Sequence, residues 1–375
     1  MSQIIEIDPI TRLELYGKIG VLLTLIIIST ICVVSCKKST EPIEVINDPR
    51  QYTWTVDTLE YPGSSQTIMV AIWASSPDNV YAVGHNSMNR GLMWHFDGKI
   101  WKDIHLSTTQ GGTIPGAIDL ADIHGFSAND VWAVGEHLYS NPNPPPNFLD
   151  SSLIIHYDGS TWQEMPLIKQ QGLETIWGDS PNRMWAGGHF GTLYKYDDFA
   201  WQPDTIHYSF PPHRFLNILS IAGNETSGFY MVINIFLENE LEYFYLFQYE
   251  NNKWVARDST KYYIDSYTGL WMSPSGKLYA GGNALRVWNG SSWSIILGPL
   301  SVINVFGTDD ENIFVAALTF EGGKIFHYNG KDWYDIPELT SPGVFFSDTW
   351  SDGQEAFVVG HTIGFPEKTV VFHGR

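Results

Sequence analysis

His156-Tyr157-Asp158-Gly159-Ser160-Thr161-Trp162 is one copy of a turn motif that returns along the chain and decides its fold. Two close copies are His95-Phe96-Asp97-Gly98-Lys99-Ile100-Trp101 and His327-Tyr328-Asn329-Gly330-Lys331-Asp332-Trp333. Weaker ones begin at Lys195, Gln248 and Val287 and end at Trp201, Trp254 and Trp293. Self-similarity at a period of roughly 40 residues is the signature of a propeller or solenoid.

A second half-motif precedes each turn. It reads Ile123-His124-Gly125-Phe126-Ser127-Ala128-Asn129-Asp130-Val131-Trp132-Ala133-Val134-Gly135 in its fullest form, with clear relatives at 72–84 and 176–188. Its apolar runs are β-branched and aromatic and are bounded by Ser, Pro, Asp, Asn and Gly, which predicts short strands, four per repeat. Asp-Gly or Asn-Gly between such runs predicts a type I′ hairpin, in which both central residues take positive φ. Asp97-Gly98, Asp158-Gly159, Asn289-Gly290 and Asn329-Gly330 are accordingly placed between third and fourth strands. The Trp after each turn opens the fourth strand and is expected to pack between neighbouring units. No segment after the leader has helical periodicity.

Counting units closes the ring. The last repeat ends at Val370-Val371-Phe372-His373-Gly374-Arg375 without a Trp strand, while Gln51 to Leu59 reads as a fourth strand with no first three. The expected fold is therefore all-β. It is a seven-bladed β-propeller of four-stranded antiparallel blades, whose last blade is completed by residues 51–60. The Trp series is then Trp54, Trp101, Trp162, Trp201, Trp254, Trp293 and Trp333. The fourth unit, around Ile221-Ala222-Gly223, is the most degenerate, and six or eight blades follow if it is misread. Ring closure removes open sheet edges.

These repeats resemble those of bacterial secreted and lipoprotein β-propellers, with a Trp-Gly-Ser, Asp-Val-Trp-Ala-Val-Gly and His-Tyr-Asp-Gly-x-x-Trp pattern over nearly all of 51–375. The likeness is more distant to kelch, photosystem-assembly-factor and sialidase-type propellers. The sialidase turn carries a Ser before its Asp and a spaced Gly, and this chain has neither. The resemblance implies a fold, and propellers host many unrelated activities.

Residues 19–34 are almost wholly apolar, with Lys18 before them and Ser35-Cys36-Lys37-Lys38 after. The run is short for a membrane span of about 20 residues and suits a signal peptide. Val33-Val34-Ser35-Cys36 resembles a bacterial lipobox, which implies cleavage before Cys36 and its acylation; paired acyl chains anchor stably where one is marginal. The expected organisation is a lipoprotein signal peptide at 1–35, a flexible tether at 36–50 and the propeller at 51–375. Glu6, Asp8 and Glu14 are unusual in a signal n-region. Lys37 and Lys38 lack the acidic retention signal of enterobacteria-like sorting, so an outer-membrane destination in the cell envelope is expected, periplasmic or surface-facing. Cys32 and Cys36 are the only cysteines, which excludes a disulfide or a cysteine metal site from the propeller.

A net charge of −20 argues against nucleic acid, which needs a basic footprint. No Gly-x-Ser-x-Gly elbow, His-Glu-x-x-His or phosphate loop is present, so no catalytic residue and no cofactor is assigned. A carboxylate pair for glycan cleavage stays open. His85, His189 and His361 each follow a second-strand glycine, and His137 lies near the equivalent place. Equivalent positions on separate blades are spread around the ring, so no metal site is expected from them. His95, His156, His327 and His373 recur on third strands, a scaffold position expected to be satisfied by a neighbouring blade.

Recognition is expected on the long loops: 136–150 in blade 2, 207–215 leading into blade 4, 236–243 in blade 4 and 261–267 leading into blade 5. Tyr139, Phe148, Tyr208, Arg214, Tyr263 and Tyr267 are the candidate contacts, for aromatic rings with an Arg suit sugars or peptides. The leading expectation is a monomeric, lipid-anchored, non-enzymatic binding module for a glycan or envelope protein. The alternatives are an envelope glycan hydrolase or lyase with an acidic pair, and an assembly factor for an outer-membrane complex.

Overall fold

The computed structural model describes residues 48–144, 148–262 and 266–375. Expectations for the signal peptide, Cys36 and most of the tether lie outside these residues. Seven four-stranded antiparallel sheets follow one another. Blade 1 comprises Thr67–Ser76, Asn79–Asn86, Met93–Phe96 and Trp101–Asp103; blade 2, Ala117–Ser127, Asp130–Ser140, Phe148–Tyr157 and Trp162–Glu164. Blade 3 comprises Leu173–Ser180, Arg183–Gly188, Leu193–Tyr196 and Trp201–Pro203; blade 4, His213–Asn224, Gly228–Leu237, Glu242–Glu250 and Lys253–Lys261. Blade 5 comprises Tyr267–Met272, Leu278–Gly282, Leu285–Trp288 and Trp293–Leu297; blade 6, Ser301–Asp309, Asn312–Thr319, Gly322–Tyr328 and Trp333–Asp335. Blade 7 is Val344–Ser351, Ala356–Thr362 and Thr369–Gly374, completed by Trp54–Leu59, which pairs in register from Trp54↔Gly374 to Leu59↔Thr369. The first strands of the seven blades contact one another in a closed cycle and so line the axis. The chain is docked from Asp48 onward: Arg50 donates to Asp332 Oδ1 at 2.7 Å and lies over the Tyr334 ring.

The fourth blade is a complete four-stranded sheet and contains the longest strand of the ring, His213–Asn224, although its sequence is the least typical. Its third-to-fourth turn, Asn251-Asn252, has both residues at positive φ, as a type I′ turn requires. The Asp-Gly turns are built differently, which corrects the type I′ expectation. In blade 2 the closing pair is Asp158 and Thr161, and Gly159 at φ 90° is the first central residue. The Asp stands outside the two-residue loop, where its carboxylate accepts the N–H groups of Ser160 and Thr161 at 2.9 and 3.0 Å. Such an Asx cap makes Asp or Asn a turn former without positive φ. Blade 3 has Asp198 where the Asp-Gly and Asn-Gly turns have Gly, at φ 75°.

One irregularity recurs in every blade. The first strand carries a bulge, for example between Leu120 and Asp122 and between Phe346 and Asp348. A bulge turns the strand locally and re-aims its carbonyls. The second-strand glycine faces that bulge: a Cβ on Gly135 would lie 2.0 Å from Asp119 O. This close approach accounts for the Gly that ends the Val-Trp-Ala-Val-Gly motif. The bulged residue also ties blades together. Asp122 Oδ2 accepts Ile176 N–H of blade 3, and Asp348 Oδ2 accepts Ile72 N–H of blade 1, both at 2.8 Å. Ser220 Oγ does the same for Leu270 N–H at 3.0 Å. Burial pushes the Asp122 carboxyl up to about 6 and Asp348 to about 8, against the opposing pull of these N–H groups.

The fourth-strand Trp residues wedge between blades, as expected. Trp162 meets Tyr81 of blade 1 edge-on at 5.9 Å, and Trp201 meets Trp132 of blade 2 at 5.8 Å. The third-strand histidines are satisfied within their own blade, which corrects the expectation of a neighbouring partner. His156 Nε2 pairs with Asp130 Oδ1 at 2.8 Å and His327 Nε2 with Asn312 Oδ1 at 2.8 Å. Each partner stands two residues before the second-strand residue paired with the histidine, Asp130 before Trp132 and Asn312 before Phe314, and so on the same face of the sheet.

Two substitutions separate these constraints. Gly135→Ala forces a methyl into the bulge carbonyl and is expected to destabilise by about 1–3 kcal/mol. Asp198→Gly relieves a left-handed side chain and is expected to stabilise by about 0.5 kcal/mol after the added freedom of the unfolded chain is subtracted. Denaturant unfolding of each variant checks both signs.

Candidate functional site

Second-to-third hairpins and the blade-to-blade connections share one face of the ring; first-to-second and third-to-fourth turns share the other. The second face is closed by short Asx-capped turns. The first carries the irregular segments, but two of them are more ordered than expected. In blade 2 the second and third strands extend to Ser140 and from Phe148, paired through Ser140↔Phe148. In blade 4 the 236–243 segment is the end of a long hairpin that turns at Glu238 to Leu241.

Exposed aromatic rings follow the same division. Among the described residues Tyr139, Phe190, Tyr208, Phe215, Tyr262, Phe320 and Phe365 are exposed on the first face, against Phe199 on the second. Phe190 holds φ at 52°, an outlier for a bulky residue, and its ring lies 5.8 Å from Phe215. Phe190 borders a hollow of about 420 Å³ between blades 3 and 4, lined also by Gln170, Thr205, Phe210 and Leu216 among others. A second hollow of about 590 Å³ lies between blades 4 and 5, lined by Asn234, Glu242, Tyr262, Ser266 and Thr268 among others.

Beside Phe190, at the seam of blades 2 and 3, three carboxylates face one imidazole, and a fourth, Asp119, stands beside Glu136. His189 opens the turn after the second strand of blade 3, and its backbone N–H donates to Gly172 O at 3.0 Å. Its Nε2 pairs with Glu174 Oε1 at 2.6 Å. Its Nδ1 faces Asp150 Oδ2 at 3.6 Å and Glu136 Oε2 at 3.9 Å. Asp150 is fixed by the Gly172 N–H at 2.6 Å. Asp119 pairs across the sheet with Glu136. A Cβ on Gly172 would stand 2.2 Å from Glu136 Oε2, so this glycine makes room for the carboxylate. The hydrogen bond to Glu174, followed by the charges of Glu174, Glu136 and Asp150, raises His189 to about 9. Burial first, then Asp150, raises Glu136 to about 7, and Asp119 is raised by burial to about 6. A cationic imidazole and a carboxyl poised at neutrality therefore sit side by side. The neighbouring His137 pairs with Glu164, which also holds Lys169.

The expected contact residues divide into separate places. Tyr139 is exposed beside this seam, its hydroxyl donating to Asp150 O at 3.2 Å. Tyr208 is half-exposed in blade 4, edge-on to Phe210 at 4.8 Å and Phe247 at 5.4 Å. Arg214 lies on the first strand of blade 4, not in a loop, and its Nη2 donates to Glu238 O at 3.2 Å. Phe148 begins a strand, and Tyr263 lies outside the described residues. Tyr267 is a correction: it is 1 % exposed, and its hydroxyl donates to Asp258 Oδ2 at 2.7 Å, where Trp293 also donates. It starts a strand and seals the seam of blades 4 and 5. Glu136, Asp150, Glu174, Phe190 and Phe215 were not singled out as contacts. The insertion of charge into a second strand at Glu136, and Phe190 between His189 and Gly191, are the only signals the sequence carries for them.

The architecture is similar to solved propellers, including WD40 domains. YCF48 bound to D1 peptide shares 12 % identity over 87 % of this chain and 97 % of that one, with a TM-score of 0.57. The Cps50 (Swd1) propeller domain of Myceliophteria thermophila shares 8 % identity over 84 % and 99 %, TM-score 0.53. A Niastella koreensis GH74 enzyme shares 13 % over 80 % of this chain, which spans 52 % of that enzyme, TM-score 0.54. Identities this low establish the fold. No protein-family model matches the sequence, and no curated protein is similar to it.

The charge arrangement is directly measurable. The His189 imidazole should titrate near pH 9 in the folded protein, with its stabilising pairings lost as pH rises through that value. Glu174→Gln should lower the midpoint more than Asp150→Asn, because the Glu174 hydrogen bond is the larger cause. The imidazole proton resonances read both midpoints.

Proposed function

We propose that this protein is a non-enzymatic binding module of the cell envelope, lipid-anchored through Cys36, that holds a glycan or an envelope protein on its hairpin face. The observation that carries the reading is the distribution of rings: seven of the eight exposed aromatic residues among those described lie on that face. Their solvent-facing surfaces are not used by propeller packing, and with a hollow between blades they form a stacking surface for sugars or peptides. Phe190 and Phe215 are the central contacts, with Tyr139, Tyr208 and Arg214 around them. The apolar run ending in Ser35-Cys36 supports an outer-membrane lipoprotein.

A second reading draws on the Glu136–Asp150 pair, whose facing oxygens lie within 4.8 Å of each other and of His189. Carboxyl groups about 5 Å apart serve retaining glycoside hydrolysis, with the acid raised towards neutrality. In that case the chain is an envelope glycan hydrolase. An assembly factor is the third possibility, and it shares the binding face.

A glycan array and an envelope pull-down with wild type and Phe190→Ala/Phe215→Ala separate these. Binding that the double variant loses by tenfold or more supports the proposed face. Retained binding moves the site elsewhere, and release of reducing sugar that Glu136→Gln abolishes replaces binding with hydrolysis.

A further inference from the structure

We propose that Glu136, Asp150 and His189 bind one divalent transition-metal ion at the seam of blades 2 and 3. The three donors come from three separate pieces of backbone and converge: Nδ1 of His189, Oε2 of Glu136 and Oδ2 of Asp150 lie within 4.8 Å of one another. Ligand atoms around a tetrahedral ion stand roughly 3.3 Å apart, so side-chain rotations that close the remaining gaps bring all three onto a common centre.

The surroundings are those of a built site. His189 turns Nδ1 towards the carboxylates and presents Nε2 to Glu174 at 2.6 Å. A ligating imidazole is characteristically backed in this way by a carboxylate that fixes its ring and tautomer. Asp150 is oriented by the Gly172 N–H, and the missing side chain of Gly172 leaves the space that Glu136 Oε2 occupies. All three donors are half-exposed, with side chains 23 to 32 % accessible, so an ion would keep positions open towards solvent and the aromatic patch at Phe190.

The donor set selects the class of ion. One imidazole nitrogen with two carboxylates suits zinc or manganese, whereas calcium and magnesium take oxygen donors. The imidazole binds in its neutral form, so the ion takes the place of the proton on Nδ1 and that proton is released to solvent. The site uses one member of the histidine series across blades, His189, with acids from blade 2.

The experiment is calorimetric titration of the chelator-treated full chain with Zn²⁺, Mn²⁺, Mg²⁺ and Ca²⁺. One saturable equivalent of Zn²⁺ or Mn²⁺ is expected, with at least tenfold weaker Mg²⁺ and Ca²⁺. His189→Gln should abolish binding, and Glu174→Gln, a positioning change, should weaken it 10–100-fold. His361→Gln, on the same face in blade 7, should leave it unchanged. No saturable binding of either transition metal, or binding indifferent to His189→Gln, overturns the proposal. Should a variant fold poorly, Mn²⁺ broadening of the His189 imidazole resonances in the unsubstituted protein decides the matter. Absence of broadening there also overturns it. Ion binding is read without any glycan or protein ligand, so this result is independent of the proposed function.

Discussion

Each blade has two apolar faces and only its neighbours to bury them against. A single four-stranded sheet of this size exposes both, and a row of such sheets still exposes two ends. The structure depends on removing those ends. Trp54–Leu59 crosses the whole chain length to pair with Thr369–Gly374, and Thr369 Oγ1 then accepts the Met69 N–H of blade 1 at 2.9 Å. With that strand in place every blade has two neighbours, and the first strands meet in an unbroken cycle around the ring. Arg50, held by Asp332, fixes the entering chain against blade 6 just before the closing strand.

Much of this was legible because it is repeated. A residue type that recurs at one offset in several blades signals a shared geometrical need, and the Trp wedge, the strand-two glycine and the turn positions were all found in this way. What repetition could not supply was the partner of each group. The histidine on the third strand looked like an inter-blade contact, but its partner stands at the start of the second strand of its own blade, on the same face by register. The Asp-Gly pair looked like the two central residues of a turn, but the aspartate caps the turn from outside. In both cases the periodic pattern named the position and left its local geometry open. Blade 4 shows the converse. It lost most of the motif yet kept the fold, since alternating apolar residues such as Met231, Ile233 and Ile235 still fill the core.

The candidate site was less legible, and for a physical reason. Binding residues depart from the repeat, so they carry no internal copy against which to be recognised. Length in blades 2 and 4 was visible, but the insertions pair as strands and carry their side chains outwards at alternate positions, not as free loops. Tyr267 was misplaced because a strand begins there. Glu136 and Asp150 are separated along the chain by the blade 2 hairpin and meet through its register, with Leu138 opposite Asp150. His189 joins them from the next blade. Three residues brought together by two sheets leave no spacing that a linear reading recognises.

The seam of blades 2 and 3 also departs from the energetic pattern of the ring. Deeper in that seam Trp132 and Trp201 meet edge-on and exclude water, as rings do between other blades. At the hairpin face, the same seam ends in three carboxylates facing one imidazole, with Asp119 beside Glu136. One positive charge does not balance these acids, and partial burial makes their mutual repulsion costlier than it would be in water. Replacing them with apolar side chains would continue the seal already present beneath, and buried ion clusters are weak sources of stability compared with such packing. Residues maintained against their own repulsion, oriented by a glycine N–H and a backing glutamate, are arranged for a positive charge that comes from outside the chain.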